Sequence, residues 1–400
     1  MKKILLTGAT GYIGKRMISV IAQAGYQVVC CTRERSRFKI PVGIPEDQIE
    51  VIEVDFLDED SLKNIPKDID GAYYLMHSMS ASSDYEEMEK RAAQNFVNAV
   101  NDTNCEHVIY LTGIVNEDNM SKHLSSRLKV EEILSSGEFN FTALRAGIVI
   151  GSGSASFEII RDLVEKLPVM ITPKWLNTKC QPIGIADVLE FLIKTLFNKK
   201  AYNNNFDIGC DDILSYKNML LGYAKVRNLK RYIYTAPVMT PKLSSYWLYF
   251  VTSTSYTLAS ALVDSMRIEV ICRPEKLKEI KAITGVEPIS YHEALERTLS
   301  KIQAHEIASS WKDSYVSSRV DKSLKEFIEV PEKGVFIDKR IQSYDDKQAC
   351  LDRVFGIGGS NGWYGSFLWK IRGFMDQIVG GPGLRRGRRH PSELNDGDAL

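Results

Sequence analysis

Two side chains able to move a proton and hold an anion stand four residues apart, at His123 and Arg127. Residues at this spacing share one face of a helix. The guanidinium of Arg127 stays charged, offers donors to a ribose or substrate oxygen, and favours a neutral His123 by charge repulsion. A neutral imidazole can still give a proton to a carbonyl that receives a hydride, and the Thr112 hydroxyl could position that oxygen. The alternative is that these residues position a cofactor or serve only the structure.

Three glycines follow the apolar run of residues 4–6, and apolar residues at helical spacing follow the glycines. A strand, a tight glycine turn and a helix in this order are typical of dinucleotide-binding sites. The helix N-terminus would offer N–H groups and partial positive charge to a pyrophosphate. A glycine-rich surface turn is the alternative. The residues predicted to bind the cofactor here are Gly8, Thr10, Gly11, Tyr12, Ile13 and Gly14.

The end of the second predicted strand, Gln27–Thr32, bears on the choice of nucleotide. An acidic residue at this point usually bonds the ribose hydroxyls of NAD, whereas an arginine holds the 2′-phosphate of NADP. Arg33 stands at the right distance from the glycines, and Arg37 could add a second contact. Guanidinium suits phosphate by its charge and its planar set of donors. We therefore predict NADP(H), although Glu34 keeps NAD open and a solvated basic loop is the alternative.

Two further strand ends are predicted to touch the cofactor. Asp55 and Phe56 follow the third predicted strand and could flank the adenine, with Asp55 accepting a hydrogen bond from its amino group. A cap for the turn at residues 58–61 is the alternative for Asp55. His77 ends the fourth predicted strand. Because open α/β sheets bind ligands at the carboxyl ends of their strands, we expect His77 to lie along the cofactor.

Strand and helix patterns alternate through the first 150 residues, which predicts a doubly wound parallel sheet of the α/β class. Beyond Gly151 the pattern loosens, and we expect a small lid and substrate region up to residue 305. The predicted strands are Ile4–Leu6, Gln27–Thr32, Ile49–Val54, Gly71–His77, His107–Thr112, Phe141–Ile150 and Phe206–Gly209. The predicted helices are Tyr85–Val100, Asp187–Leu196, Ser215–Val226 and Val286–Ile302.

The composition is that of a soluble globular protein, with 51 basic and 51 acidic side chains. This balance predicts no nucleic-acid partner. Seven cysteines without CxxC or His-interleaved spacing predict no metal site and reduced thiols in the cytoplasm. The apolar run after Met1 is too short for a signal peptide. The oligomeric state stays open.

Residues 243–263 contain no charged side chain and are long enough to span a bilayer. Eight serines and threonines make this stretch too polar for that interpretation to be preferred. We expect instead a lid over an apolar pocket, or a surface that rests on a membrane. Peripheral membrane contact is therefore a hypothesis for this segment.

A charge-rich junction at residues 306–329 precedes a second unit at residues 330–400. We predict for this unit a strand at Gly334–Lys339, a glycine-rich loop at Phe355–Trp363 and an aromatic amphipathic helix at Trp363–Ile378. Four arginines between residues 385 and 389 could hold a phosphate or an acidic lipid head group. A solvated loop is the default for these arginines.

Four short motifs resemble the short-chain dehydrogenase/reductase superfamily in its atypical branch: TGATGYIG at Thr7, LTG at Leu111, LRAG at Leu144 and QPIGIADV at Gln181. The resemblance covers residues 1–301 and implies a Rossmann fold that binds NAD(P). Such enzymes usually carry a Tyr-x-x-x-Lys pair, with the Tyr as general acid, after a strand that ends in Ser. In this chain Thr112 takes the place of that Ser, and His123 and Arg127 take the places of the pair.

The C-terminal stretch GGSNGWYGSFLWKIRGFMD resembles a bacterial domain of unknown function that is thought to be related to START-like, helix-grip folds. Such folds enclose apolar ligands. The resemblance implies a partial α+β domain at residues 330–400 that continues past Leu400.

Two functional hypotheses follow. The first is an NADP(H)-dependent oxidoreductase acting on an apolar carbonyl or quinone-like compound, as the uncharged stretch and the second domain indicate. The second is a non-catalytic dinucleotide-sensing or assembly protein, as the replaced Tyr/Lys pair indicates.

Overall fold

The computed structural model describes residues 1–35, 38, 40–41, 43–76, 85–115, 122–235, 267–303, 309, 343, 345–359 and 361–378. The strands are β1 Lys3–Leu6, β2 Gln27–Thr32, β3 Ile49–Glu53, β4 Gly71–Tyr74, β5 His107–Gly113, β6 Asn140–Ala146, β7 Val149–Ile150, β8 Val169–Thr172, β9 Lys179–Cys180, β10 Ile183–Gly184, β11 Asn204–Ile208, β12 Leu214–Ser215 and β13 Tyr232–Thr235. The helices are α1 Tyr12–Gln23, α2 Tyr85–Asn101, α3 Lys122–Ser135, α4 Ala155–Lys166, α5 Ile185–Thr195, α6 Tyr216–Val226, α7 Pro274–Thr284, α8 Tyr291–Gln303, α9 Lys347–Phe355 and α10 Ser366–Ile378.

Seven parallel strands form the main sheet in the order β3-β2-β1-β4-β5-β6-β11. The strand order reverses between β1 and β4, which is where sheets of this kind bind ligands. Helices α1 and α5 bury one face of the sheet, and α2 and α3 bury the other. Both faces are covered, so β1 reads as a continuous apolar run whose residues are fully buried from Ile4 to Leu6. The predicted doubly wound α/β fold is confirmed.

One predicted strand, Phe141–Ile150, is wrong in its extent because the chain leaves the main sheet at Gly147. Strand β6 ends at Ala146, and the two residues of β7 pair instead with β10. The turn brings the chain so close to the carbonyl oxygen of Gln181 that a Cβ on Gly147 would lie 2.5 Å from it. Two apolar runs joined by one glycine are therefore two strands in two different sheets.

A second apolar core lies within residues 150–299, where the sequence predicts a small lid and substrate region. Helices α4, α6 and α8 pack together there, with Phe157, Tyr223 and Leu295 fully buried. Helix α4 is absent from the predicted elements. The predicted helix Val286–Ile302 begins later, at Tyr291, because the backbone before it is tied to α5: the Ile289 N–H donates to the Asp187 carboxylate at 3.2 Å.

Helices α9 and α10 lie in the C-terminal unit. Helix α9 is capped by Asp346, whose carboxylate accepts from the Ala349 N–H at 3.0 Å. The predicted helix Trp363–Ile378 is α10, which begins at Ser366.

Four predicted features lie outside the described residues: the strand at 334–339, the arginine-rich turn, the 243–263 stretch and the junction apart from Ser309. None of the described helices is both long enough and apolar enough to cross a bilayer.

Candidate functional site

Hydrogen bonds of the Thr7 side chain join the carboxyl ends of β1 and β4, where the strand order reverses. The Thr7 hydroxyl donates to the Tyr73 carbonyl at 3.0 Å and accepts from the Leu75 N–H at 3.0 Å. Thr7 is fully buried, so these bonds form away from water. Sequence reasoning did not single out Thr7, although it immediately precedes Gly8. These two hydrogen bonds fix the end of β1, where the glycine turn begins.

The glycine turn depends on the absence of side chains at two positions. Gly8 has a left-handed φ of +65°, and a Cβ there would lie 2.6 Å from the Leu75 carbonyl oxygen. A Cβ on Gly14 would lie 2.0 Å from the Gly8 carbonyl oxygen, because α1 packs directly onto the turn. At Gly11, by contrast, the only described atom near a Cβ would be the Gly8 carbonyl oxygen at 3.2 Å. Gly11 is thus the glycine that leaves room for a ligand.

The first turn of α1 presents backbone donors to that space. Gly11 caps the helix without a side-chain hydrogen bond, and the first turn contains no acidic residue. Its own N–H donates to the Gly8 carbonyl at 2.9 Å, and the N–H groups that follow are the first donors of α1, which have no partner within the helix. Donors at a positive helix end, beside a glycine without a Cβ, fit a pyrophosphate.

The remaining residues predicted for this turn are placed as follows. Thr10 is half-buried in the turn, and Ile13 packs against the core under α1. The Tyr12 phenol oxygen is buried and has no hydrogen-bond partner among the described residues, and burial raises its pKa. The Arg16 guanidinium lies over the Tyr12 ring, 4.8 Å from its centroid. Tyr12 therefore points its ring into protein rather than toward the phosphate space.

Arg33 is exposed directly after β2, next to the buried Thr32. The chain turns here because the Thr32 hydroxyl bonds both the N–H and the carbonyl of Glu34, at 3.3 and 3.2 Å. The position suits a contact with a 2′-phosphate. Arg37 lies outside the described residues.

The predicted adenine contacts are placed differently from one another. Phe56 is 3% exposed and packs against Phe96 in the core, so its side chain is not available to flank an adenine. The Asp55 carboxylate accepts from the Leu57 N–H at 3.0 Å, which is the turn-capping role left open for it. Asp55 is half-buried at the carboxyl end of β3, so the adenine contact stays a prediction for this residue alone. His77 lies outside the described residues.

A second group of polar residues gathers at the end of β5, around the buried phenol of Tyr110. Tyr110 and Thr112 are two residues apart on β5, so their side chains lie on the same face of the strand, under α3. Burial raises the pKa of Tyr110 to about 12, while the charge of Arg127 and the neighbouring Thr112 side chain oppose this rise. The Thr112 hydroxyl oxygen is itself buried and has no hydrogen-bond partner among the described residues. The structure thus brings together two of the three predicted catalytic residues, with Tyr110 as a partner that sequence reasoning missed. The third, His123, lies in the first turn of α3, and its side chain is outside the described residues.

Two ion pairs continue this row across the sheet. Arg145 of β6 stands opposite Thr112 on one side and opposite Asp207 of β11 on the other. Its guanidinium binds both carboxylate oxygens of Glu131 in α3, at 2.8 and 3.1 Å, with both side chains about nine-tenths buried. Asp207 in turn holds Arg273 at the start of α7, at 2.7 and 2.9 Å. Arg145 belongs to the LRAG motif, which indicated the family resemblance but predicted no role for this arginine.

The fold has many solved relatives. A quinone oxidoreductase of Escherichia coli complexed with NADPH covers 74% of this chain and 99% of its own, with a TM-score of 0.58 at 15% identity. A triphenylmethane reductase of Citrobacter sp. complexed with NADP(H) gives the same coverage and TM-score at 14% identity. An Agrobacterium tumefaciens short-chain dehydrogenase/reductase superfamily protein with bound NAD covers 74% and 96%, with a TM-score of 0.55 at 12% identity. At these identities the likeness establishes the shared fold.

A curated relative is the chloroplastic divinyl chlorophyllide a 8-vinyl-reductase of Cucumis sativus, 23% identical over 221 residues. The chain spans about half the length of this relative, and the match covers 52% of each.

Two family models match separate parts of the chain. Residues 332–400 match a protein family of unknown function, DUF2867, in agreement with the resemblance predicted for the C-terminal unit. Residues 1–241 match the NmrA-like family, in agreement with the predicted likeness to atypical short-chain dehydrogenases/reductases. Because this second match takes in 241 of the 400 residues, the protein belongs to the NmrA-like family.

Proposed function

We propose that this protein is an NADP(H)-dependent oxidoreductase that acts on an apolar carbonyl or quinone-like compound. The observation that carries the proposal is the β1–α1 turn: two glycines tolerate no Cβ, a third leaves ligand room, and the helix start has no side-chain cap. This arrangement lies where the strand order reverses. When bound, the dinucleotide would supply the hydride.

The preference for NADP(H) rests on Arg33. Its exposed side chain follows β2, the strand whose end meets the adenosine ribose in this fold. A guanidinium there offers charge and paired donors to a 2′-phosphate, which NAD lacks. The NADPH and NADP(H) complexes of two solved neighbours support the choice, and the NAD complex of the third marks the competing one.

The chemistry is assigned to the end of β5 and the first turns of α3. Arg127 supplies a fixed charge beside Tyr110 and Thr112, and its Nε is buried without a hydrogen-bond partner among the described residues. The Thr112 hydroxyl would orient a substrate oxygen, and His123, one turn before Arg127, would give that oxygen a proton. An apolar substrate is supported by the uncharged 243–263 stretch and by relatives named for a quinone, a triphenylmethane and a chlorophyllide.

A non-catalytic dinucleotide-binding protein is the second candidate. The observation in its favour is the chemistry at the end of β5: Arg127 stands where related enzymes carry Lys, and Tyr110 is 1% exposed. A phenol so enclosed cannot reach a substrate without movement of α3. Such a protein would bind NADPH without oxidising it.

The test begins with affinity. Titration of the purified chain with NADPH and NADH is expected to favour NADPH, and Arg33→Ala should reduce that preference about tenfold or more, since a hydrogen bond between charged groups contributes about 1.5–3 kcal/mol. Arg35→Ala, two residues further on and also exposed, is the matched control and should leave the preference intact. A chain that binds neither nucleotide, or prefers NADH, would refute the assignment.

Stopped-flow absorbance of the nicotinamide then separates the two candidates. A panel of quinones and apolar carbonyl compounds should include one that oxidises bound NADPH, and His123→Ala should slow that step while leaving NADPH affinity unchanged. Tight NADPH binding with no oxidation by any member supports the binding protein instead. Full turnover by both His123→Ala and Arg127→Ala would remove these residues from the chemistry.

A further inference from the structure

One residue from beyond α8 is bound to the first turn of α1. The Ser309 hydroxyl donates to the Tyr12 carbonyl at 2.8 Å, across 297 positions of sequence. Arg16, one turn further along α1, donates to the Ser309 carbonyl at 3.3 Å. Ser309 itself is fully buried. Two hydrogen bonds in opposite directions thus hold this residue against the helix that begins at the glycine turn.

Arg16 is the centre of this contact. The same terminal nitrogen donates to the Ser152 carbonyl at 2.8 Å, so the guanidinium joins α1, the loop after β7 and Ser309. Its Cζ lies over the Tyr12 ring, 4.8 Å from the ring centroid, and its Nε is buried. The face of the ring attracts the guanidinium charge, which adds a further contact between Arg16 and the first turn of α1.

Ser309 lies in a distinctive part of the chain. It follows α8, which ends at Gln303, and precedes the DUF2867 match that begins at residue 332. The chain that connects the two family matches therefore touches the predicted phosphate-binding helix at a described point. Nothing in the proposed reaction requires this contact.

We propose that the contact of Ser309 with the first turn of α1 and the binding of a dinucleotide strengthen each other. This inference rests on the proposed function, because it assigns a regulation to the same nucleotide site.

The coupling has a physical basis in one peptide unit. The carbonyl of Tyr12 and the N–H of Ile13 belong to the same peptide group, and that N–H is among the first donors of α1, which lack partners within the helix. A hydrogen bond accepted by the carbonyl polarises the group and strengthens its N–H as a donor to an anion. It also fixes the first turn before the ligand arrives, which reduces the entropy lost on binding. Coupling of this kind is reciprocal, so a bound dinucleotide must favour the docked Ser309 to the same extent.

The first experiment measures NADPH affinity of the intact 400-residue chain by calorimetry. Ser309→Ala removes the hydroxyl donor and should weaken binding about three- to tenfold, the value of one net hydrogen bond. Arg16→Met should weaken it by a similar factor. Ser300→Ala is the matched control, because this serine is exposed on α8 and donates to the nearby Arg297 carbonyl at 2.9 Å. The Ser300→Ala variant should bind NADPH as wild type does.

The second experiment measures the reverse direction by hydrogen exchange of the same chain. Saturating NADPH should slow amide exchange around Ser309 several-fold in wild type and leave it unchanged in Arg16→Met. If Ser309→Ala binds NADPH as tightly as wild type and NADPH leaves the exchange unchanged, the coupling is refuted while the nucleotide site stands. If wild type binds no nicotinamide nucleotide, the proposed function and the coupling fall together.

Discussion

His107 makes the stability of the NmrA-like part dependent on pH in a calculable way. It lies at the amino end of β5 and is fully buried. Its Nδ1 accepts from the Phe197 N–H at 3.0 Å, and its Nε2 lies 2.9 Å from the Thr142 hydroxyl. That hydroxyl donates its own proton to the Ala201 carbonyl at 2.7 Å, so it must accept from Nε2. The network therefore requires neutral His107, because a proton on Nδ1 would face another donor.

Burial lowers the pKa of His107 from an ordinary 6.5 to about 4. The folded chain thus binds this proton less readily than the unfolded chain, and stability from this residue is complete above pH 6.5 and lost as the pH falls toward 4. At pH 5 most unfolded chains carry the proton and most folded chains do not. The two protonation equilibria then give a loss of about 2 kcal/mol relative to pH 7, rising to about 3 kcal/mol at pH 4.

Native-state hydrogen exchange of the β5 amides measures this loss as an opening free energy, once corrected for the intrinsic exchange rate at each pH. Wild type should lose about 2 kcal/mol more between pH 7 and pH 5 than His107→Gln, which does not titrate in that range. His292→Gln, at an exposed histidine of α8, should behave as wild type. An equal loss in wild type and His107→Gln would refute the assigned network and tautomer.

Three further predictions concern the groups that hold the site. Thr7→Val should destabilise the chain by about 1–3 kcal/mol, measured by urea denaturation, because it leaves the buried Leu75 N–H unpaired; Thr7→Ser should retain most of the stability. Arg145→Met should cost about 3–5 kcal/mol by the same measurement, since Glu131 is left charged and buried, and the double variant Arg145→Met/Glu131→Leu should recover most of that cost. Gly14→Ala should weaken NADPH binding in a fluorescence titration by tenfold or more, because its Cβ would displace the Gly8 carbonyl. Wild-type behaviour of any one of these variants would contradict the corresponding contact.

The parts of the fold that sequence predicts are those with a local signal. Strand β2 has the predicted bounds Gln27–Thr32, and β1 and β3 to β5 lie where their apolar runs place them, because buried parallel strands need apolar residues on both faces. Helix α4 was missed although its sequence carries a helical signal: Phe157, Ile160 and Val164 recur at helical spacing behind the N-cap Ser154, and all three are buried. What the sequence does not reveal is that Glu158 and Asp162 are also buried, because their charges are neutralised by Arg161 at 2.8 and 3.1 Å.

In the candidate site, too, the sequence predicted the residues with a local signal and missed the others. The glycines can be predicted from their spacing, because the left-handed φ of Gly8 and the close approach of Gly14 to the Gly8 carbonyl are local backbone requirements. Thr7, Tyr110 and Arg145 do not, because their partners are distant in sequence: Thr7 meets Tyr73, Tyr110 meets Arg127, and Arg145 meets Glu131. Phe56 was predicted to flank the adenine, and the structure places it in the core instead. An aromatic residue at a strand end is equally suited to packing in a core and to flanking an adenine, so the sequence alone does not distinguish the two.

The helices that carry the two halves of the site are held by polar contacts in addition to their apolar packing. Helix α1 is held through Arg16, and α3 is held through Glu131 and through the bond from Ser126 to Glu89 at 2.6 Å. Burying an ion pair recovers little free energy compared with an apolar pair of the same volume, but its geometry admits one orientation. Glu131 is four residues beyond Arg127 and eight beyond His123, on the same face of α3. Its bidentate bond to Arg145 therefore fixes the rotation of α3 at the turn that carries Arg127.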